Sequence, residues 1–367
     1  MKSDMFTLPD VQALVRDLSA TNVLSVYLET RVTDPAMRDA WRPTLANALR
    51  DVGAGLSGDE RPEFERARAV LEEAMPRLGG VWGAEGWVAF VTADGTYQAV
   101  DVPTHCPTLV AWREGPVIAP YMRVLKELRP VIVALVDLDS ARIYRYAWGD
   151  LDMLPEMSLS ADEHPAAGIA PGPERRGQSV PAPRSATGTE RGQRRQEAAF
   201  ESLAATLAER LAELADEEGW ILVGGSREWA RVAGEALPAR LTGRVMVSDT
   251  LDHDATDAQI TEAAQHAATA LRAAHGQALL DSLLQDAGAP GLSASGVPSV
   301  QRALKRRAVD LLLLSPAFMH DEAEAAEDAV RATLLQGGDV EVLSGDAAAR
   351  LDETAHGVVA KLRFALE

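Results

Sequence analysis

The densest run of groups able to do chemistry lies at residues 172–195, which read GPERRGQSVPAPRSATGTERGQRR. Its cations are Arg175, Arg176, Arg184, Arg191, Arg194 and Arg195, set against only Glu174 and Glu190. Guanidinium groups grip phosphates with two parallel hydrogen bonds. An unpacked basic segment can follow an RNA surface. The run also holds two Arg-Gly-Gln triplets, at 176–178 and 191–193. Glycine lets backbone approach a reacting ester, and glutamine can orient a water or a developing oxyanion. A solvated linker carrying arginines for solubility has the same composition, so composition alone leaves both readings open.

Other groupings are weaker. Gly224-Gly225-Ser226, between an expected strand and an expected short helix, could cradle a phosphate. No Gly-Lys-Ser/Thr follows, so it is not a P-loop. Glu228 stands where a nucleophile elbow needs its second glycine. A tight turn is the simpler reading. Asp249, Asp252, Asp254 and Asp257 surround His253, a spacing that suits helix capping as well as a metal. Asp137 and Asp139 close a strand and are expected to cap a turn. His105 and Cys106 have no partner visible in the sequence. Glu322, Glu324, Glu327 and Asp328 fall on one helix and are expected to be a solvated face.

Composition bounds the partners. A formal net charge of −19 over 367 residues opposes non-specific binding to DNA or to anionic membranes. It leaves room for RNA at a local basic patch. The single cysteine, Cys106, rules out a disulfide within the chain and a cysteine-based zinc site. It suits a reducing cytoplasm. The opening MKSDMFTLPDVQ has no apolar signal core, and no apolar run approaches the ~20 residues of a membrane helix. Neither a metal nor a cofactor is expected.

Around these residues the chain reads as alternating helices and strands, hence α/β with two or three domains. Residues 1–129 form a mixed domain. It has a helix over 8–18, a strand over 23–28, helices over 38–52 and 60–75, and strands over 86–91 and 96–102. Residues 130–272 form a middle domain. There the apolar run Val131–Val136 predicts a buried central strand. Extended pieces follow at 141–147 and 151–159. The stretch 164–192 is dense in Pro, Gly, Ser and Arg and lacks an apolar period, so it is expected to be a long mobile loop. Phe200, Leu203, Ala204, Leu207, Leu211 and Leu214 recur at three and four, which predicts a long helix from about Gln193 to Glu217. Trp220–Val223 predicts a second buried strand, Val245–Val247 a third, and 257–284 a long helix. Residues 273–367 form the last domain, with helices near 298–307 and 322–335 and strands at 309–314, 340–343 and 358–364.

Three ordered segments resemble a known superfamily. The first is the middle domain's buried strand, exposed Gly/Arg/Gln loop and long helix, with Val223-Gly224-Gly225 beyond. The second is Val297-Pro298-Ser299-Val300-Gln301-Arg302-Ala303-Leu304 followed by Ala308-Val309-Asp310-Leu311-Leu312-Leu313. The third is the closing Gly357-Val358-Val359-Ala360-Lys361-Leu362-Arg363-Phe364. This order resembles the archaeo-eukaryotic class-one peptide chain release factor superfamily, in its bacterial branch, which includes relatives of Pelota and a group of peptidyl-tRNA hydrolases. The resemblance runs from about Val131 to the end and agrees with the N-terminal domain only in type. It implies a release-factor-like middle domain with an exposed loop at 164–195 and an L7Ae-like α/β/α C-terminal domain. It also implies the ribosome and tRNA as partners, with rRNA contacts through 172–195, and admits a GTPase partner.

In that superfamily a Gly-Gly-Gln loop helps water cleave peptidyl-tRNA. Both triplets here read Arg-Gly-Gln. The resemblance thus makes Gln193 with Gly192 the first counterpart and Gln178 with Gly177 the second. Arginine in the first glycine's place is unfavourable where φ > 0 is needed. Three readings follow: a ribosome-associated factor that hydrolyses peptidyl-tRNA in release or rescue, a non-catalytic factor that occupies idle or stalled ribosomes, and a small-molecule enzyme with a flexible lid. The third needs a convergent His/Glu/Lys constellation, and the sequence displays none.

Overall fold

The computed structural model describes residues 5–31, 40–75, 84–137, 140–158, 188–215, 219–286 and 292–366, with side chains left out at 158, 188–199, 202 and 286. These residues form helices and three sheets, an α/β architecture. They divide into two compact units, residues 1–128 together with 276–367, and residues 129–275. The first and last of the three expected segments therefore share one unit. Among the described residues no helix is long and apolar enough to cross a membrane.

The unit made by 129–275 is a three-layer sandwich. Its sheet has the order β10-β9-β5-β6-β7, with β8 added on β6. The strands are β5 (Val131–Val136), β6 (Ser140–Ala147), β7 (Asp150–Met153), β8 (Met157–Ser158), β9 (Trp220–Gly225) and β10 (Val245–Val247). β10, β9 and β5 run parallel, and β6 and β7 continue antiparallel. The continuous apolar run of β5 is explained by its two covered faces. Ile132, Ala134 and Val136 meet α5 (Gly188–Leu214) and α6 (Arg227–Glu235), while Val131, Val133 and Leu135 meet α7 (Asp257–Asp286). A strand packed on both sides has no position where a polar residue is cheap. The boundary between the two units falls within α7.

The other unit holds two sheets. In the first, β3 (Tyr97–Val102), β2 (Gly86–Thr92), β1 (Asn22–Glu29) and β4 (Leu109–Glu114) pair antiparallel in that order. Helices α2 (Trp41–Gly55) and α3 (Glu60–Ala74) cover one face through Leu45, Leu49, Phe64 and Leu71. On the opposite face Phe6, Tyr27, Phe90 and Tyr121 form a chain of tilted and edge-on rings. Helix α1 (Leu8–Asp17) opens on a reciprocal cap between Thr7 and Asp10, so local sequence alone specifies where it starts. Periodicity assigns nothing to 109–114, whose residues are mostly half-buried; pairing with β1 makes them a strand. Helix α4 (Ala119–Glu127), likewise not expected from the sequence, buries Tyr121, Met122 and Val124.

The second sheet has the order β11-β14-β12-β13, with β11 (Ser293–Ser295), β12 (Val309–Leu314), β13 (Asp339–Val342) and β14 (Val358–Leu362). Leu280, Leu283, Leu313, Leu343, Ala347, Leu351 and Val359 fill the layer under α11 (Gly345–Ala355). Helices α8 (Val297–Lys305) and α10 (Ala323–Leu335) pack on β14 and β12, with α9 (Pro316–Asp321) between. Helix and strand therefore alternate around this sheet, as expected.

One expectation about this part is overturned. Glu327 does not lie on a solvated face: it is 3% exposed. It falls on the buried stripe with Ala326, Val330, Thr333 and Leu334, because the position is covered by the turn before α4. Its neighbour Asp328 is exposed and takes Arg113 at 2.7 Å.

Candidate functional site

Helix α5 starts at Gly188 rather than at Gln193. Residues 188–192, the end of the expected loop, are therefore helical. The reason is local. Thr189-Glu190-Arg191 and Gln193-Arg194-Arg195-Gln196 contain good helix formers, and Glu190 lies in the first turn, where the helix dipole favours an anion. Gly192 costs about 1 kcal/mol in a helix interior, which these neighbours and the anchored end offset. Helical backbone has negative φ, so Arg191 does not need the left-handed conformation that counted against it. In an α-helix only the first four N–H groups lack an intrahelical partner. Gly192 and Gln193 lie beyond that turn, so their amides belong to the helix ladder.

The anchor of α5 is its second half. Phe200, Leu203, Ala204, Leu207 and Leu211 are buried against Ile132, Ala134, Ile221 and Val223. The Phe200 and Trp229 rings meet at 4.2 Å between centroids. Seven residues separate Gln193 from Phe200, about 10 Å of helical rise. Arg191, Gly192, Gln193, Arg194 and Arg195 thus sit on the first turns of a helix whose later turns are fixed to the sheet. Arg175, Arg176, Gly177, Gln178 and Arg184 lie outside the described residues, as does Asp139.

The Gly224-Gly225-Ser226 turn is fully used by the fold. Gly225 adopts φ +104°, and a Cβ there would overlap the Val136 backbone. Its N–H donates to the Leu251 carbonyl at 2.7 Å, and the Ser226 N–H donates to the Val136 carbonyl at 2.8 Å. A phosphate cradle needs those amides free. The tight turn is the role the structure gives this motif.

Two of the acids after β10 are engaged locally. Asp249 pairs with Arg227 at 3.4 Å, and the Asp252 carboxylate accepts the His253 N–H at 2.8 Å. The residue that caps α7 is Thr256, in a reciprocal exchange with Gln259, rather than an aspartate. A cleft of about 560 Å³ opens there, lined in part by Ser248, Asp252, Asp254, Glu262 and His266. Among the described residues no group of three His, Cys, Asp or Glu side chains is arranged to hold a metal ion.

Cys106 is buried, and burial pushes its thiol up to about 12. A thiol so rarely ionised is a poor nucleophile. Its neighbour His105 reaches Glu29 at 3.2 Å on the surface. Both are structural. The group that sequence reasoning missed is Glu327. Desolvation, opposed by amide hydrogen bonds and by Arg113 and Arg331, raises its carboxyl to about 7. Its place on an apolar stripe at three-and-four spacing was a signal available in the sequence.

Residues 116–269 match the family described as bacterial archaeo-eukaryotic release factor family 10. The matched span takes in the whole six-stranded sheet, α5 and α6. No curated protein matches the chain. Solved structures similar to it include the archaeal translation termination factor aRF1, at 18% identity over 97% of each chain with a TM-score of 0.26. Pelota from Archaeoglobus fulgidus is similar at 15% identity over 100% of this chain and 99% of that one, with a TM-score of 0.39. Dom34 from S. cerevisiae is similar at 10% identity over 76% of this chain and 81% of that one, with a TM-score of 0.46.

Proposed function

We propose that this chain, whose residues 116–269 make it a relative of the bacterial archaeo-eukaryotic release factors, is a ribosome-associated translation factor acting in peptide release, ribosome rescue or hibernation. That match is the observation that carries the reading. It covers the sheet and the helix on which Arg191, Gly192, Gln193, Arg194 and Arg195 are mounted. In a chain with net charge −19, a cluster of arginines is where RNA phosphate can be met, and a helix fixed to a sheet gives that cluster a rigid base. Arg175, Arg176 and Arg184 belong to the same basic run. The reading carries with it a cytoplasmic location, the ribosome and tRNA as partners, and a GTPase partner.

Catalysis would rest on Gln193 with Gly192, and secondarily on Gln178 with Gly177. A glutamine that orients water at the ester needs backbone able to approach the reacting carbonyl. With Gly192 and Gln193 in a helix, their amides serve the ladder. This observation favours a second reading, a factor that binds the ribosome with little or no hydrolysis. Co-sedimentation with ribosomes, followed by a peptidyl-tRNA hydrolysis assay on the same material, separates the two. Pelleting without hydrolysis supports the binding factor, pelleting with hydrolysis supports the hydrolase, and failure to pellet ends both.

A further inference from the structure

Residues 292–309 contain no acidic residue, yet hold Arg302, Lys305, Arg306 and Arg307. All four are exposed. Among the described residues Arg302 reaches the Ser299 hydroxyl, at 3.2 Å. Asp310, the next residue along the chain, instead makes long contacts to Lys361 and Arg363, at 3.8 and 3.7 Å. Four cations within six residues repel one another, and in a protein this acidic nothing in packing requires them.

The backbone adds an independent observation. Helix α8 ends in a Schellman motif: the Ala308 N–H donates to the Ala303 carbonyl at 3.0 Å, and the Arg307 N–H to the Leu304 carbonyl at 3.0 Å. The motif places its C′ residue in the left-handed region, where glycine is the usual occupant. Here it is Arg307, at φ 55°. A glycine would be less strained and would serve the cap as well, so the cap itself does not call for a cation at this exposed position.

The end of β14 lies beside this turn, because the Arg363 N–H donates to the Ala308 carbonyl at 2.8 Å. Phe364, the next residue, is 50% exposed. An exposed aromatic ring next to a guanidinium cluster combines a platform for stacking a base with forks for the phosphates on either side. From this juxtaposition we propose that the C-terminal end of α8 and the end of β14 form a docking surface for single-stranded RNA, with Arg302, Lys305, Arg306 and Arg307 on phosphates and Phe364 under a base. The choice of RNA among polyanions rests on the ribosome reading above; the surface itself does not.

The test uses the full chain, a short labelled single-stranded RNA and a salt series. Arg306→Glu with Arg307→Glu is expected to weaken binding at least tenfold and to flatten its dependence on salt, since each lost phosphate contact removes about one from the slope. Phe364→Ala is expected to weaken binding severalfold and leave that slope unchanged. Arg307→Gly separates use from folding: it should lower affinity while leaving the thermal midpoint unchanged or higher. The same comparisons in a chain carrying Arg191→Ala, Arg194→Ala and Arg195→Ala keep α5 out of the signal. RNA affinity unchanged in the double charge reversal overturns the proposal, as does duplex DNA of the same length bound equally tightly. Loss of ribosome pelleting with RNA affinity intact would identify a protein contact and overturn it too. Failure of the unaltered chain to pellet with ribosomes, while RNA binding follows the patch variants, would end the ribosome reading and leave the RNA surface standing.

Discussion

The carboxylate of Glu327 accepts the backbone N–H of Ala119 at 2.7 Å, and also that of Ile118 at 2.9 Å. It therefore caps α4 from more than two hundred residues away along the chain. Around it, Asp328 takes Arg113, and Arg331 donates to the Glu114 carbonyl at 2.8 Å. Residues 113–119 are thus stitched to three neighbouring positions of α10, within the unit that joins the first and last parts of the chain.

This cap titrates. Burial raises Glu327 from 4.5 to about 7 despite the amides, Arg113 and Arg331. The native state therefore holds a proton that the unfolded chain releases above pH 4.5. The stabilisation is full below that pH and is lost as pH rises through about 7. The shift corresponds to about 3 kcal/mol. Thermal unfolding followed from about pH 5 to about pH 8 should show stability falling with pH, and Glu327→Gln should flatten that slope. Identical slopes in the two proteins would show that Glu327 does not titrate this way.

Gly225→Ala should destabilise the 129–275 unit by about 2–4 kcal/mol, since it combines a left-handed φ with overlap on Val136. Denaturant titration of the variant checks it; Ser226→Ala, whose side chain plays no part in the turn's two backbone bonds, should change stability by less than about 1 kcal/mol.

Phe200→Ala should cost about 3–5 kcal/mol, the usual range for deleting a fully buried ring. Phe200 is 0% exposed and packs against Trp229 with the two rings tilted. Because it is the first described buried side chain of α5, the variant should also weaken ribosome pelleting if that helix carries the contact. Pelleting unchanged in a folded Phe200→Leu control and lost in Phe200→Ala is the expected pattern.

Replacing Arg191, Arg194 and Arg195 with Glu should weaken ribosome pelleting and make it less sensitive to salt, with no change in the unfolding midpoint. Any hydrolysis of peptidyl-tRNA should be slow. Gln193→Ala should lower it by ~10- to 1000-fold with affinity nearly unchanged, the range one lost transition-state contact supplies. Arg191→Gly should raise it if the absent glycine is the obstacle. Robust hydrolysis that survives both Gln193→Ala and Gln178→Ala would remove these residues from the chemistry.

Much of the architecture was legible because periodicity reports which faces of an element are apolar. The unbroken run Val131–Val136 implied cover on both sides, and α5 and α7 supply it. The stripe from Phe200 to Leu211 located the buried side of α5, and two glycines after β9 located a turn. The first turns of α5, from Gly188, carry no apolar period, so that stripe does not mark where the helix starts. Periodicity is silent about what covers a face. Residues 109–114 are a strand only because β1 lies beside them. Glu327 is buried only because the turn before α4 folds over it. Arg307 and Phe364 form one surface only because β14 returns beside the end of α8. Each of these depends on contact between segments 50 to more than 200 residues apart, and no window of local sequence contains both partners. The sequence by itself therefore determined the elements and the chemistry available on them, and the tertiary structure decided which of those groups meet.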